Sequence, residues 1–255
     1  MTSTEEGRRK YDALAERYEE IYFYVADVGR QLISFADPPA GARLLDVGAG
    51  RGAVARAALT RGCTVTAVDA SAGMVSRLAA DYPEMAVAQR DAGALEFPDG
   101  SFDVVTAGFV VQVLQSPATA LAEFRRVLTP GGTVALSLER QEVGRLGWLH
   151  DLNRSFFGGA DGGAPLAADE LDDLLVSAGF NPATRLAVSI PKQLADPAAL
   201  WDWLALQGVP AVLDELPTEK AVAFREQFFR GAEKMHRDGG IVLEFAATLH
   251  RATAP

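Results

Sequence analysis

The sequence predicts an α/β fold in which a doubly wound, seven-stranded sheet carries helices on both faces and a helical cap insertion. Two observations lead to this prediction. In the first half of the chain, short apolar runs rich in β-forming residues alternate with amphipathic segments, an order typical of parallel βαβ units. The first buried run leads directly into a glycine-rich turn, GAGRG at 48–52. In such sheets ligands bind at the carboxyl ends of the strands, so we expect the functional site there.

Local patterning predicts each element of the first half. Residues 8–36 are predicted to be helical, because apolar and aromatic side chains recur there at helical spacing before Pro38 and Pro39. Ser71 suits an N-cap, and Pro117 suits a helix start. The predicted strands are 43–47, 64–68, 85–89, 102–107 and 133–138, the further helices are 53–60, 71–80 and 117–128, and a turn is predicted at Pro130-Gly131-Gly132.

The second half departs from regular alternation. A helix over 168–178 should stop at Gly179, and strands are predicted at 185–190 and 241–249. We interpret the interrupting stretches, 140–167 and 191–239, as a cap over the sheet edge where substrate would enter. The alternative is that the aromatic residues of the second stretch only pack it on the core. Those residues are Trp201, Trp203, Phe224, Phe228 and Phe229.

The length of 255 residues suits one large domain with insertions. We predict a single Rossmann-like domain over 1–255, with an N-terminal helical segment at 1–39 and a cofactor-binding core at 40–138. The two insertions, 140–167 and 191–239, would bind substrate.

The composition is that of a globular protein and narrows the class of partner. The chain is 49% hydrophobic and 23% charged, and 34 acidic against 24 basic residues give a net charge of −10. This charge disfavours a nucleic-acid partner and suits a small or cationic ligand. The single cysteine, Cys63, cannot form an internal disulfide, and the three histidines lack zinc spacing, so we predict no metal site.

We expect a cytoplasmic protein with no membrane association. The first twenty residues, MTSTEEGRRKYDALAERYEE, are polar and charged, unlike a signal peptide. The most apolar stretch, 104–114, is too short to cross a bilayer. The oligomeric state is left open, with a homo-oligomer as one option.

The glycine turn carries an acid beside it. Glycines let the backbone turn sharply, and the following helix offers free N–H groups to an anion. A GxGxG turn alone suits a dinucleotide, a flavin or a methionine-derived cofactor. Asp46 lies two residues before Gly48, where a carboxylate would repel a pyrophosphate and attract an ammonium or a sulfonium.

Two further acids follow the next two strands. Asp69 can accept both hydroxyls of a ribose, and Asp91, followed by Ala92, can accept the exocyclic amine of adenine. Together with Asp46 they match the ribose, adenine and ammonium of S-adenosylmethionine. Each acid alone has a simpler interpretation: Asp46 caps nearby N–H groups, Asp69 belongs to a turn, and Asp91 is a solvated loop residue.

At these motifs the chain resembles the class I S-adenosylmethionine-dependent methyltransferases, of the small-molecule (methyltransferase type 11-like) kind found in ubiquinone and natural-product pathways. The resemblance covers about 40–138 and rests on LLDVGAGRG (44–52), VTAVDAS (65–71), RDAGALEFPDGSFDVV (90–105) and EFRRVLTPGGTVALSL (123–138). The helix YDALAERY (11–18) and the last strands are also similar. The family places its seventh strand antiparallel between the fifth and the sixth.

The resemblance implies cofactor contacts position by position. The implied contacts are Asp46, Gly48, Ala49, Gly50 and Tyr18 for the methionine part, Asp69 for the ribose, Ala70, Met74, Asp91 and Ala92 for the adenine, and Ala107 and Gly108 near the sulfonium. For Tyr18 the alternative is a packing role.

The residues that would act on the acceptor are harder to assign. Many relatives carry a histidine pair after the fourth strand, where this chain has Gln112 and Val113, so a base at that pair is in doubt. The remaining candidates for a catalytic base are His150, His236, Tyr22 and Tyr24. For each histidine the alternative is a surface or packing role, and His250 on the last strand is expected to be structural.

The predicted function is transfer of a methyl group from S-adenosylmethionine to a small organic molecule, with oxygen preferred over carbon or nitrogen as the acceptor atom. One alternative is a non-methylating cyclase or binding protein of the same fold, because fold does not determine function. A second alternative is an NAD(P)-dependent oxidoreductase. It is less favoured because the glycines of the turn do not have the G-x-G-x-x-G spacing of a dinucleotide-binding site.

Overall fold

The computed structural model describes residues 11–12, 17–140, 144–158 and 166–255. The chain divides into two compact units. The first comprises Met1–Arg140, Pro165–Val188 and Ala247–Pro255, and the second comprises Gln141–Ala164 and Ser189–Ala246.

Seven strands form one sheet in the order β3-β2-β1-β4-β5-β7-β6, which confirms the predicted fold class. β7 lies between β5 and β6, as the resemblance implies. The strands are β1 Arg43–Val47, β2 Thr64–Asp69, β3 Ala86–Gln89, β4 Phe102–Gly108, β5 Leu128–Arg140, β6 Thr184–Leu194 and β7 Ile241–Thr253.

The strand order reverses at β1. This strand pairs in parallel with β2 on one side and β4 on the other, so Asp46 has Ala67 and Thr106 as its neighbours across the sheet. The crossovers from β1 to β2 and from β4 to β5 run in opposite directions along the sheet, and right-handed crossovers of this kind place their helices on opposite faces. A crevice forms where the order reverses, and it opens at the carboxyl ends of the strands.

The helices of the first unit follow the predicted order after the N-terminal region. Ser71 caps its helix by accepting the N–H of Met74 at 3.1 Å, and Gly179 follows the last core helix at a left-handed φ of 89°. In chain order the helices of both units are α1 Tyr18–Ile21, α2 Val25–Ala36, α3 Ala53–Thr60, α4 Ala72–Asp81, α5 Pro117–Val127, α6 Gly147–Phe157, α7 Ala168–Ser177, α8 Pro197–Leu206, α9 Val209–Asp214 and α10 Thr218–Arg237.

The prediction of one continuous helix over 8–36 is wrong where the structure describes it. α1 ends at Ile21, because the φ of −107° and ψ of 50° at Tyr22 lie outside the helical region, and α2 begins only at Val25. The rings of Tyr18 and Tyr22 pack together at this break, with centroids 4.8 Å apart. Residues 8–10 and 13–16 of the prediction lie outside the described residues.

Three strands are longer than predicted by more than one residue. β5 begins at Leu128 instead of residue 133, and the expected Pro130-Gly131-Gly132 turn is an irregularity within it: Phe102 pairs with Leu128, but Val104 pairs with Thr133. β6 and β7 extend to Leu194 and Thr253. The apolar pattern underestimates these strands because backbone pairing with a neighbouring strand continues where the side chains become polar.

The core of the first unit lies between the sheet and its helices. Leu45, Val105 and Val134 from the strands meet Phe124 of α5 and Leu171 of α7, and all five are fully buried. Burying each such side chain contributes about 1.5–3 kcal/mol. This apolar layer holds the carboxyl ends of β1 and β4 in place.

The second unit has its own aromatic core. Phe224 and Phe228 of α10 are fully buried, and their ring centroids lie 5.4 Å from Phe156 and 5.8 Å from Trp148, both of α6. Trp201 of α8 lies 5.0 Å from Phe228. These aromatic residues pack on one another within the unit, and the cap role assigned to it remains a prediction. Among the described residues, no helix of either unit is both long and apolar enough to cross a bilayer.

Candidate active site

The glycine turn follows β1 and requires its glycines for two reasons. Gly48, Gly50 and Gly52 have φ values of 67°, 53° and 83°, a left-handed region that other residues rarely adopt. A Cβ on Gly48 would lie 2.3 Å from Val110 Cγ2, and one on Gly52 would lie 2.6 Å from Leu78 Cδ1. A Cβ on Gly50 would meet no atom within 4 Å. The turn therefore packs tightly at both ends and presents the backbone of Gly50 to open space.

Asp46 lies on β1 beneath this turn and is only 1% exposed. One carboxylate oxygen accepts the N–H of Ala55 at 3.0 Å, and the other accepts the hydroxyl of Thr106 at 2.8 Å. The simpler interpretation of Asp46, a cap for nearby N–H groups, therefore describes part of its role. Burial raises the pKa of the Asp46 carboxyl to about 7, although both hydrogen bonds favour the ionised form.

The raised pKa of Asp46 predicts an unusual dependence of stability on pH. In the unfolded chain this carboxyl titrates near 3.8, so between about pH 4 and pH 7 the folded state holds a proton that the unfolded state has released. The contribution of Asp46 to the free energy of unfolding should therefore decrease as the pH rises through this window. Asp46→Asn, which keeps the shape and one acceptor, should weaken this trend in urea unfolding measured at pH 5 and pH 8. If Asp46→Asn keeps the pH dependence of the wild type, the Asp46 carboxyl is not the source of this trend in stability.

Asp69 ends β2 on the other side of the turn. One carboxylate oxygen accepts the N–H of Gly50 at 2.8 Å, and the other accepts the N–H of Ser71 at 2.8 Å. Burial raises the pKa of this carboxyl as well. In the part of the chain that the structure describes, neither Asp46 nor Asp69 forms an ion pair with a basic side chain. Two such carboxylates, Asp46 buried and Asp69 half-buried, favour a cationic ligand.

A cavity of about 40 Å³ lies against this turn. Its lining brings together six predicted cofactor residues, which are Tyr18, Asp46, Gly48, Ala49, Gly50 and Gly108. Phe109, directly after β4, and Ser137, near the carboxyl end of β5, also line it. The space suffices for one or two water molecules, so a larger ligand must displace some of the lining side chains.

Tyrosine rings cluster near this cavity. Tyr18 lies 6.4 Å from Tyr11 and 4.8 Å from Tyr22, and Tyr24 lies edge-on to Phe109 at 5.9 Å between ring centroids. Burial raises the pKa of the Tyr18 and Tyr24 hydroxyls far above the ordinary value. Both phenols therefore stay neutral at physiological pH, which favours hydrogen-bond donation by Tyr24 over the base role predicted from sequence.

Comparison with known proteins agrees with this geometry. Residues 45–136 match the family described as a methyltransferase domain. Nocamycin O-methyltransferase of Saccharothrix syringae is 29% identical over 90% of this chain and 91% of its own length. Residues 45–136 therefore form a methyltransferase domain. The malonyl-[acyl-carrier protein] O-methyltransferase of Halorhodospira halophila is 34% identical over 57% of the chain, which spans about half (50%) of that relative.

Solved structures show the same fold around the methyltransferase core. The YcgJ protein of Bacillus subtilis superposes with a TM-score of 0.61 at 19% identity, covering 89% of this chain and 98% of its own. Phosphoethanolamine N-methyltransferase 2 of Haemonchus contortus, solved in complex with S-adenosyl-L-methionine, has a TM-score of 0.56 at 18% identity, covering 96% of this chain and 57% of its own.

The other predicted cofactor residues of the methyltransferase lie away from the cavity lining. Met74, Ala92 and Ala107 are buried at 1%, 9% and 0% exposure. Asp91 is exposed and accepts the N–H of Gly93 at 2.9 Å, as a turn residue does. The carbonyl of Ala70 accepts the side-chain amide of Gln89 at 2.9 Å. Their adenine and sulfonium roles remain predictions.

The predicted catalytic histidines belong to the second unit. His150 lies on α6 and His236 on α10, and both are exposed. The structure gives neither of them a role, so both assignments remain predictions. His250 in the first unit is fully buried, and its Nδ1 lies 2.7 Å from Asp172 Oδ1, as a structural histidine would. Among the described residues, no group of three or more histidine, cysteine or acidic side chains is arranged to hold a metal ion.

Sequence reasoning missed three residues that shape the cavity. Thr106 holds the Asp46 carboxylate, and Ser137 accepts the N–H of Phe109 at 3.0 Å through its hydroxyl. Phe109 itself has a left-handed φ of 59°, which is uncommon outside glycine. The signal that could have found Thr106 and Ser137 is a polar residue inside an otherwise apolar strand, in VVTAG and VALSL.

Proposed function

We propose that the methyltransferase takes its methyl group from S-adenosylmethionine and transfers it to a small organic acceptor. The observation that carries this proposal is a pair of carboxylates that flank the glycine turn without a basic partner among the described residues. Asp46 is buried and Asp69 is half-buried, and burial raises the pKa of both. An ammonium group and a sulfonium provide the missing positive charge, whereas the pyrophosphate of a dinucleotide would add negative charge.

The residues present suit the parts of this cofactor. Asp46, the backbone of Gly48–Gly50, open at Gly50, and Tyr18 would face the methionine part. Asp69 would exchange its bond to the Gly50 N–H for the ribose hydroxyls. Ala70, Met74, Asp91 and Ala92 would surround the adenine, and Ala107 and Gly108 would lie near the sulfur.

When bound, the cofactor supplies a methyl group already activated by a positively charged sulfur. The protein must then bring the acceptor atom into line with that methyl group and exclude water, and alignment can supply much of the rate. Gly108 and Phe109, at the end of β4, border the space where this alignment would occur. Tyr24 would orient the acceptor by donating a hydrogen bond.

We further propose oxygen as the acceptor atom. Nocamycin O-methyltransferase and malonyl-[acyl-carrier protein] O-methyltransferase both support this assignment by their names. The acidic charge of the chain supports a small-molecule acceptor over a nucleic acid. A free, buried Cys63 supports a reducing compartment such as the cytoplasm.

Calorimetry and label transfer test this function together. We expect the protein to bind S-adenosylhomocysteine and S-adenosylmethionine but not NADH. We also expect methyl-labelled S-adenosylmethionine to lose its label to hydroxyl acceptors in a panel of phenols, enols and hydroxy acids. Binding of NADH alone, or label that stays on the cofactor across the whole panel, would contradict the proposal.

A further inference from the structure

The carboxyl end of β5 carries a glutamate next to the proposed site of methyl transfer. Ser137 is fully buried and lines the cavity, and the register pairs it with Gly108 at the end of β4. Side chains two residues apart leave a strand on the same face. The side chain of Glu139 therefore projects from the same face of β5 as that of Ser137. It lies two residues beyond this cavity-lining position and is exposed.

Gln112 fixes the backbone at this position. Its side-chain carbonyl accepts the N–H of Glu139 at 2.7 Å, which ties the turn Val111–Val113 to the end of β5. Gln112 stands where the resemblance leads one to expect a histidine, and an amide cannot take up a proton at neutral pH. The neighbouring strand thus supplies a carboxylate beside a position that lacks a base.

Tyrosine hydroxyls lie within electrostatic reach of this carboxylate. Burial raises the pKa of the Tyr22 and Tyr24 hydroxyls, and the negative charge of Glu139 raises them further. The pKa of Tyr11 is raised by burial and, to a smaller extent, by Tyr22, Asp69 and Glu139. The ring of Tyr24 lies edge-on to Phe109, with centroids 5.9 Å apart. Glu139 forms no ion pair within the described part of the chain.

We propose that Glu139 is a catalytic residue of an acceptor subsite formed with Tyr22, Tyr24 and Phe109, and that this subsite takes a neutral, planar hydroxyl compound, a phenol or an enol, rather than a carboxylic acid. The proposal rests on the proposed function. Edge-on and offset ring contacts favour a planar acceptor. A carboxylate acceptor would be repelled by Glu139, whereas a hydroxyl can donate to Glu139 and accept from a tyrosine.

The transfer step balances with the residues present. The acceptor oxygen forms a bond to the methyl carbon while the carbon–sulfur bond breaks. The electron pair of the broken bond stays on the sulfur, and the sulfonium becomes a neutral thioether. The hydroxyl proton becomes strongly acidic as the oxygen–carbon bond forms, so a carboxylate is basic enough to accept it. Glu139 takes that proton and later releases it to solvent, which its exposed position allows.

A binding experiment tests the subsite with two probes of similar shape. The full-length protein is first saturated with S-adenosylhomocysteine, and 2-naphthol and 2-naphthoate are then titrated at pH 7. We expect the wild type to bind 2-naphthol at least about tenfold more tightly than 2-naphthoate, a difference of about 1.4 kcal/mol in binding free energy. Glu139→Gln should bring the two affinities within about threefold of each other, chiefly by tighter binding of 2-naphthoate. Glu84→Gln, an exposed change before β3, is the matched control and should keep the wild-type preference.

Other outcomes overturn the inference. A wild type without the preference, a Glu139→Gln variant that keeps it, or failure of both probes to bind would each overturn the acceptor subsite. Failure to bind S-adenosylhomocysteine would overturn the proposed function instead. For phenols that the wild type methylates, kcat of Glu139→Gln should fall about 100-fold for neutral acceptors and far less for acceptors already ionised at the assay pH. Equal losses for both kinds of acceptor would mean that Glu139 is only structural.

Discussion

Asp69→Ala should weaken binding of S-adenosylhomocysteine to the methyltransferase by about 5- to 150-fold, because loss of a hydrogen-bond acceptor costs about 1–3 kcal/mol. The carboxylate is positioned by the N–H groups of Gly50 and Ser71, both at 2.8 Å. In the proposed complex the oxygen bonded to Gly50 would accept the ribose hydroxyls instead. Calorimetry at fixed pH measures the dissociation constant directly.

Two controls separate a binding role of Asp69 from general effects. Glu84→Ala removes the same charge from an exposed position before β3 and should leave the affinity unchanged. Asp69→Asn keeps one acceptor oxygen and should lie between the wild type and Asp69→Ala. An unchanged dissociation constant in Asp69→Ala would show that the ribose is held elsewhere.

Gly29→Ala should destabilise the protein by about 1–3 kcal/mol, although alanine is the better helix former by about 1 kcal/mol. Gly29 lies in α2, where an added Cβ would be 2.8 Å from the backbone carbon and oxygen of Ala53, the first residue of α3. Backbone atoms cannot rotate away as a side chain can, so α2 must shift. Because Gly29 also lines the cavity, binding of S-adenosylhomocysteine should weaken in parallel.

Urea unfolding measures the stability of Gly29→Ala, and Gly93→Ala provides the comparison. At Gly93 the nearest atom to an added Cβ is Thr119 Cγ2 at 3.4 Å, a contact that a side chain can relieve. We expect Gly93→Ala to change the stability by about 0.5 kcal/mol or less. If Gly29→Ala instead unfolds at a higher urea concentration than the wild type, helix propensity outweighs packing and the close approach of α2 to α3 is not essential.

Local signals predicted the core well. The alternation of apolar runs located β1, β2, β3 and β4, and the cap at Ser71 located the start of α4. The glycines at 48–52 and the acids near the carboxyl ends of β1 and β2 identified the edge of the sheet where the cavity lies. These signals succeed because capping, turns and strand burial depend on neighbours close in sequence.

Sequence patterns failed where distant segments decide the structure. The break at Tyr22–Tyr24 has no glycine or proline to mark it, and it coincides with packing between tyrosine rings. Thr106 gains its role only because the register places it beside Asp46 on the neighbouring strand. Ser137 likewise acquires a partner in Phe109, which is 28 residues away in the chain.

The amino-acid sequence alone determined the order of strands and helices, the glycine turn and the acidic character of its surroundings, since these follow from side-chain type and spacing along a few residues. Only the tertiary structure decided that Asp46 is buried against Thr106 and that Ser137, two residues before Glu139, lies beside Gly108 at the end of β4. The physical reason is that burial and hydrogen bonding depend on which strands become neighbours. Residue 46 meets residue 106, and residue 108 meets residue 137, only once the sheet has formed.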